Sequence, residues 1–243
     1  MTTATLTFAA PPQATCLTGE PATLCPACGY SAAEHESDRL AVTTRRLRRR
    51  DTLYRIGDRF HALYAVRSGT FKSTMGTVDG REQVTGFQMG GDLLGLDALA
   101  EGVHATNAVA LEDSEIVVLP YAELKQLAAS GRGLNEAISR LLSREIVRDH
   151  RLMALRGSLS AGEKVAAFLL NMSRHMKERG YSAREFHLRM SRGEIGSYLG
   201  INLETVSRIF SDLQQRGVLE VDKRHVRIAD MQALTGMFAP RTH

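Results

Sequence analysis

Residues 190–221, MSRGEIGSYLGINLETVSRIFSDLQQRGVLEV, limit what this chain can fold into more than any other stretch. Ser191 and Glu194 stand three apart, the capping-box spacing in which each side chain satisfies an orphan backbone donor at a helix start. The short helix they begin carries apolar Ile195 and Leu199, and Gly200 supplies the left-handed residue on which a helix ends most easily. Asn202 can cap a second helix, so the turn between is about three or four residues, the helix-turn-helix spacing. In the second helix Val206, Ile209, Phe210 and Leu213 recur at three- and four-residue intervals and face inward, leaving Glu204, Ser207, Arg208 and Ser211 on the opposite side. That outer face suits a DNA major groove, where Arg forks onto guanine O6 and N7, Glu accepts from cytosine N4, and a small hydroxyl lies beside a thymine methyl. The competing reading is an ordinary amphipathic helix with a solvated polar face.

The flanking segments extend this unit. Val218–Val221 and Val226–Ile228 bracket Asp222-Lys223-Arg224-His225, a small hairpin whose basic tip can touch phosphate and which makes the domain a winged helix. Lys223 and Arg224 join Ser191 and Arg192, at the start of the first helix, as candidate DNA contacts. Residues 160–180 predict an earlier amphipathic helix with Val165, Phe168, Leu169 and Met172 inward and Gly180 closing it. Charge follows the same division: Lys plus Arg against Asp plus Glu is 16 to 18 in residues 1–150 but 15 to 9 in residues 151–243. The basic excess thus sits on the half expected to meet a polyanion.

Three cysteines, Cys16, Cys25 and Cys28, lie within thirteen residues as C-x8-C-x2-C. An odd, crowded set is no disulfide framework, and a C-x2-C pair lets two thiolates converge on one metal or cluster. His35 could complete a Cys3His zinc site, and unligated surface thiols are the alternative. Residues 1–15 read as a flexible tail without the charged and apolar regions of a signal peptide, and no run of about 18 apolar residues predicts a membrane span. A cytoplasmic protein is expected.

Between Arg45 and Pro120 the pattern is of short strands, punctuated by Gly57, Gly69, Gly80 and Gly90. Segments such as His61–Val66 and Gln83–Phe87 alternate, and Asp79-Gly80 is a hairpin turn, so a β-barrel or jelly roll is expected. The basic run Arg45, Arg46, Arg48, Arg49 and Arg50 is read as alternation at a sheet edge rather than as a nucleic-acid patch. Helix formers take over from Tyr121. Ile138, Leu142, Ile146, Asp149 and Met153 step by four, four, three and four residues along one seam. That seam is either a two-fold dimer interface, weakened by burying Asp149 against its twin, or the inner face of a helix packed on its own sheet. The 243-residue chain therefore divides into a tail and Cys-rich arm at 1–40, a β-roll at 41–120, a dimerisation helix at 121–156 and a winged helix-turn-helix at 157–243. The class is α+β.

This order of parts, with LYAVRSGTFK and EQVTGFQMGGDLLGLDAL in the roll, SREIVRD in the long helix and ETVSR in the second helix of the pair, resembles the FNR branch of the CRP/FNR bacterial transcription regulators from Cys16 onward. The resemblance implies a homodimer on double-stranded DNA, with recognition helices about 34 Å apart. Glu204, Ser207 and Arg208 would read an inverted repeat close to TTGAT-N4-ATCAA. It implies an oxygen sensor holding a 4Fe-4S cluster on three arm cysteines and a fourth in the roll, but Val117 stands where that fourth cysteine is expected. Glu112, Asp113, His104 and His35 are the candidate replacements. The family's cAMP sensors need a Glu and an Arg-Ser pair after the GD turn, and GDLLGLDALAEGVHATNAVA has no Glu at the expected place and no Arg, so no cAMP binding is expected. Asp149 matches the family's interface aspartate. The loop Asp79–Glu82 resembles a surface offered to RNA polymerase, with Arg81 departing from the acidic residue often found there. Cluster-free alternatives are a zinc or thiol redox arm, or a roll that binds haem and nitric oxide. A cupin-like metalloenzyme would need inward His and carboxylate ligands gathered in the roll, and His61 and His104 are isolated in sequence.

Overall fold

The computed structural model describes residues 43–77, 80–130 and 132–237, so the arm with Cys16, Cys25, Cys28 and His35 lies outside the described residues, as does Asp79. The N-terminal strands are β1 (Thr43–Leu47), β2 (Thr52–Tyr54), β3 (Ala62–Ser68), β4 (Thr70–Gly76), β5 (Glu82–Met89), β6 (Leu93–Leu94), β7 (Asn107–Ala110) and β8 (Ser114–Pro120). They form two four-stranded antiparallel sheets, ordered β1-β8-β3-β6 and β2-β7-β4-β5. Between the sheets lie Leu47, Leu53, Tyr54, Val66, Phe71, Leu94, Ala108, Ala110 and Ile116, the expected jelly-roll core. Of the punctuating glycines, Gly57, Gly69 and Gly80 have positive φ, but at the fourth turn Gly91 rather than Gly90 is left-handed. At Gly69 a Cβ would collide with Ser114.

Two strands depart from alternation. In β5, Val84 and the whole run Gly86–Met89 are buried, because α3 and α4 of the C-terminal domain cover its outer face. A register shift brings Thr74 opposite Val84 while Ser73 stays opposite Gly86, so Thr85 is bulged out and Val84, Phe87 and Met89 share one cluster. β1 is an edge strand, as expected of the arginine run, but residues 43–46 are all exposed, so the edge is present without the alternation.

The helix expected from Tyr121 is described as α1 (Tyr121–Ser130) and α2 (Arg132–Ser158), with residue 131 outside the described residues. The C-terminal domain comprises α3 (Ala161–Glu178), β9 (Glu185–His187), α4 (Arg192–Leu199), α5 (Leu203–Gln215), β10 (Leu219–Asp222), β11 (His225–Ile228) and α6 (Met231–Gly236), with its three strands ordered β10-β11-β9. Val165, Phe168, Leu169 and Met172 of α3, Ile195 and Leu199 of α4, and Val206, Phe210 and Leu213 of α5 are buried in one core. Among the described residues no helix is long and apolar enough to cross a membrane.

Candidate nucleic-acid interface and sensor region

The reading unit is built by its caps. Ser191 and Glu194 form a complete capping box at α4, which ends on Gly200 at φ 69°; Asn202 then accepts from the Thr205 N–H at 2.8 Å to start α5. Three residues, 200–202, separate the helices. Gly196 is required here, because a Cβ would come within 2.6 Å of the Ile201 carbonyl oxygen and push the turn away from α4. With Val206, Phe210 and Leu213 fixed in the core, Glu204, Ser207, Arg208 and Ser211 are exposed on the far side of α5. The Arg208 guanidinium and Glu204 carboxylate have no protein partner among the described residues.

The other candidate contacts differ in setting. Ser191 is exposed at the α4 N-cap, but Arg192 is half-buried, its guanidinium carbon 3.3 Å from the Phe210 ring centroid. Burial lowers its pKa to about 10. Arg192 therefore ties α4 to α5 besides adding positive charge at the helix start. Lys223, in the left-handed conformation at φ 53°, and Arg224 form the exposed tip between β10 and β11. Arg224 also donates to the Arg189 carbonyl at 2.8 Å, anchoring the wing beside the start of α4.

The reading unit is bolted to the roll through contacts that no local motif announces. Lys72 on β4 meets the Glu194 carboxylate at 2.9 Å. Burial raises the Glu194 pKa, but the Ser191 hydrogen bonds and the Lys72 ammonium outweigh it and hold the group below the usual carboxylate range. Ser197 of α4 accepts from the Val84 N–H at 2.9 Å and its carbonyl accepts from the Gln83 side chain. Arg156, near the end of α2, donates to the Tyr198 carbonyl at 2.8 Å and the Val84 carbonyl at 3.0 Å. Arg179 reaches the Gly90 carbonyl and pairs with Asp92 at 3.2 Å, and Arg189 pairs with Glu112 at 2.9 Å. Each is a single polar residue in an ordinary strand, turn or helix, so sequence spacing carries no signal of its partner.

On α2 the seam residues separate. Ile138 packs against the cluster around Leu63, Leu119 and Leu124, and Leu142 is half-buried. Ile146 is 54% exposed and Met153 69% exposed, with Asp149 exposed between them. The part of the seam beyond Leu142 is therefore not the inner face of a helix packed on its own sheet.

In the roll, Val117 lies in β8 between Thr44 and Ala65 and packs with the apolar cluster around Leu63. The described candidates for a replacement ligand are engaged or enclosed. Glu112 accepts from Thr70 Oγ1 at 2.8 Å besides pairing with Arg189, and Asp113 accepts from the Arg49 N–H at 2.8 Å. His104 is 2% exposed, stacked on Tyr54 with ring centroids 3.7 Å apart, and only its Nδ1 has a polar neighbour, Asp97 at 3.4 Å. Asp97 in turn accepts from the Ala105 and Thr106 N–H groups and the Thr106 hydroxyl, each at 2.9 Å, so residues after the GD turn bind a carboxylate of their own. Among the described residues no three His, Cys, Asp or Glu gather as a metal ion needs.

A jelly roll joined by a long helix to a capped helix-turn-helix with a basic wing defines a DNA-binding transcription regulator with a sensor domain. Residues 163–237 match the Crp-like helix-turn-helix domain and residues 44–130 the Cyclic nucleotide-binding domain. The chain is 42% identical over 212 residues to Transcriptional regulatory protein btr of Bordetella pertussis, covering 87% of this chain and 88% of that one. It is 40% identical over 208 residues to the Fumarate and nitrate reduction regulatory protein of Escherichia coli, covering 84% and 83%. The structure of FixK2 from Bradyrhizobium japonicum superposes with a TM-score of 0.76 at 30% identity, over 83% of this chain and 99% of that one. The chain belongs to the CRP/FNR family of transcription regulators, in its FNR branch. Its relatives are regulators rather than enzymes, which removes the cupin-like reading.

Proposed function

We propose that this chain is a cytoplasmic regulator that acts as a homodimer, binds an FNR-like inverted repeat, and responds to oxygen or redox state through an iron–sulfur cluster on Cys16, Cys25 and Cys28. The observation that carries the dimer is the outer face of α2, where Ile146 and Met153 lie exposed on either side of Asp149. Such a face is too apolar to be at rest in water, and its carboxylate opposes burial against a copy of itself. Association is then weak enough for a modest free-energy change to shift it, and only a dimer sets two recognition helices at the spacing of two half-sites. Glu204, Ser207 and Arg208 read the bases, while Ser191, Lys223 and Arg224 hold the backbone. RNA polymerase is the further partner that the FNR resemblance supports.

The cluster reading rests on the C-x8-C-x2-C spacing and on the resemblance, and the roll does not supply the expected fourth ligand. Val117 is apolar, Glu112 and Asp113 are engaged, and His104 is enclosed. His35, outside the described residues, is the candidate that remains. The missing Glu and Arg-Ser pair support a roll that does not bind cAMP. When bound, the cluster supplies oxygen-sensitive redox chemistry.

Anaerobic purification followed by iron and sulfide analysis, an ultraviolet-visible spectrum and sedimentation before and after air tests this. Broad absorption near 400 nm that bleaches in air, with the dimer dissociating, is the expected result (wavelength on the order of that for iron–sulfur chromophores). A featureless spectrum with stoichiometric zinc, or a sharp Soret band, would replace the cluster by a zinc arm or by haem.

A further inference from the structure

The wing carries a pair of imidazoles that the proposed function does not use. Strands β9 and β11 run antiparallel with His187 directly opposite His225, and the two rings lie 4.8 Å apart between centroids, inclined at 51°. The alternation of the sheet fixes which way they point. Phe186, Leu188, Val226 and Ile228 enter the core, where α3 and α5 cover them, so His187 and His225 stand together on the outer face. His225 Nε2 is 2.9 Å from the Glu185 carboxylate. Glu220 is paired with Arg227 at 2.6 Å, and Asp222 lies opposite His225 on β10. With both imidazoles neutral, the outer face therefore holds three carboxylates, Glu185, Glu220 and Asp222, against one guanidinium, that of Arg227. With both protonated, the two signs balance.

The place of the pair indicates what such a change of charge acts on. His225 directly follows the tip residues Lys223 and Arg224, and the Arg224 carbonyl accepts from the Leu188 N–H at 2.8 Å, which sets the tip beside the residue after His187. The Arg224 guanidinium in turn donates to the Arg189 carbonyl, on the way to Ser191 at the α4 cap. The imidazoles thus adjoin the groups assigned above to the DNA backbone. A face dominated by carboxylates repels phosphate there, whereas an imidazolium donates from both ring nitrogens to its oxygens. Two imidazolium rings at 4.8 Å also repel one another, and a phosphate beside them relieves that cost.

We propose that His187 and His225 form a proton-gated extension of the wing: on taking up protons from solvent they become a further phosphate contact beside Lys223 and Arg224, and the protein grips DNA more tightly as pH falls. Imidazole is the side chain that changes charge between about pH 5 and 8, so the gate works near neutrality. Each proton adds to a ring-nitrogen lone pair and no other bond changes. The coupling is reciprocal: protonation favours the duplex, and the duplex favours protonation. Continuity with Lys223 and Arg224 makes the DNA backbone the occupant rather than an acidic protein. The inference rests on the DNA reading above.

The test follows the full chain, prepared anaerobically, on a duplex carrying the inverted repeat, by fluorescence anisotropy across a salt series at about pH 8 and about pH 6. The wild-type protein is expected to bind roughly fivefold or more tightly at the lower pH, the gain of one or two exposed charge contacts per half-site. Its salt slope should steepen by about one to four, since each neutralised phosphate contributes about 0.9 and a dimer presents the pair twice. A variant with His187→Gln and His225→Gln should match the wild-type protein at the higher pH, which also reports an intact fold, and lose the gain at the lower one. Every other titrating group is common to the two proteins, so their difference isolates the pair. A variant with His187→Arg and His225→Arg, charged throughout, should carry the gain to the higher pH. Wild-type affinity that does not rise, a Gln variant that keeps the full gain, or one weakened equally at both pH values overturns the proposal. A gain that disappears in the Gln variant while the salt slope stays the same also overturns it, because the protons would then act within the wing and not on phosphate. Failure of the wild-type protein to bind at either pH would instead sink the DNA reading on which the inference stands.

Discussion

Arg192 lies over the Phe210 ring, with its guanidinium carbon 3.3 Å from the ring centroid, so the first residue of α4 is packed against a buried residue of α5. A partly desolvated cation–π contact of this kind contributes about 1–2 kcal/mol. Arg192→Ala should lower the stability of the DNA-binding domain by that amount in thermal denaturation. DNA affinity should fall modestly and alike on all sequences. Unchanged stability with a large loss of DNA affinity would show that Arg192 acts on the phosphate backbone alone.

On the proposed DNA reading, Arg208 and Lys223 divide the work of binding. Changing Arg208, exposed on α5 and unpaired among the described residues, to Ala is expected to cost roughly 1–3 kcal/mol on the specific site, with relaxed preference at one base pair. Lys223→Ala at the wing tip should weaken specific and random duplexes equally. Anisotropy on both kinds of DNA measures this, and an equal loss on the two for Arg208→Ala would remove it from the set of base readers.

The exposed face of α2 makes two opposite predictions. Asp149→Ala removes a like-charge pair from the proposed dimer and should strengthen association in air. Ile146→Glu adds such a pair to a face now 54% exposed and should leave a folded monomer with weak DNA binding. Sedimentation velocity tests both, and profiles unchanged from the wild-type protein would place the dimer interface elsewhere.

Acid should loosen the junction between the domains. His175 of α3 lines a small cleft with Phe87, Met89, Arg148 and Tyr198, and its Nδ1 has no hydrogen-bond partner among the described residues. Burial lowers its pKa to about 4; the Asp92 carboxylate opposes this shift, and Arg179, Arg174 and Arg148 reinforce it. The unfolded chain takes up a proton near pH 6.5 and the folded one only near pH 4, so between these values the unfolded state holds more protons. Stability present above pH 6.5 should therefore fall as pH drops toward 4. His175→Leu should flatten that decline in denaturant midpoints measured from pH 7 to about 4.5. A variant with the same slope as the wild-type protein would show that other groups carry it.

The reading unit was legible in the sequence because its signals are local. Ser191 with Glu194, Gly200 and Asn202 act within four residues of themselves, and the structure has each cap where the spacing puts it. The roll was legible as a class from its glycine turns and short strands. The placing of the left-handed turn at Gly91 rather than Gly90 was not, since it depends on small local energies that neighbouring residues can reverse. Contacts across the domains were illegible for a different reason. The burial of β5 is made by α3 and α4, and Lys72 meets Glu194 at a separation of 122 residues. Nothing in the pattern of either partner encodes the other. At Val117 the sequence showed an absence, and the structure adds that the site is apolar.

Glu194 uses its two oxygens for different tasks: one closes the Ser191 cap and the other takes the Lys72 ammonium. The start of α4 is therefore signalled within the winged helix itself, while the Lys72 bond is one of several contacts, beside those of Gln83, Val84, Asp92 and Glu112, that the roll adds. A graft of residues 157–243 onto another roll without that lysine should still fold and still recognise its half-site, but it would no longer be under the command of its new sensor.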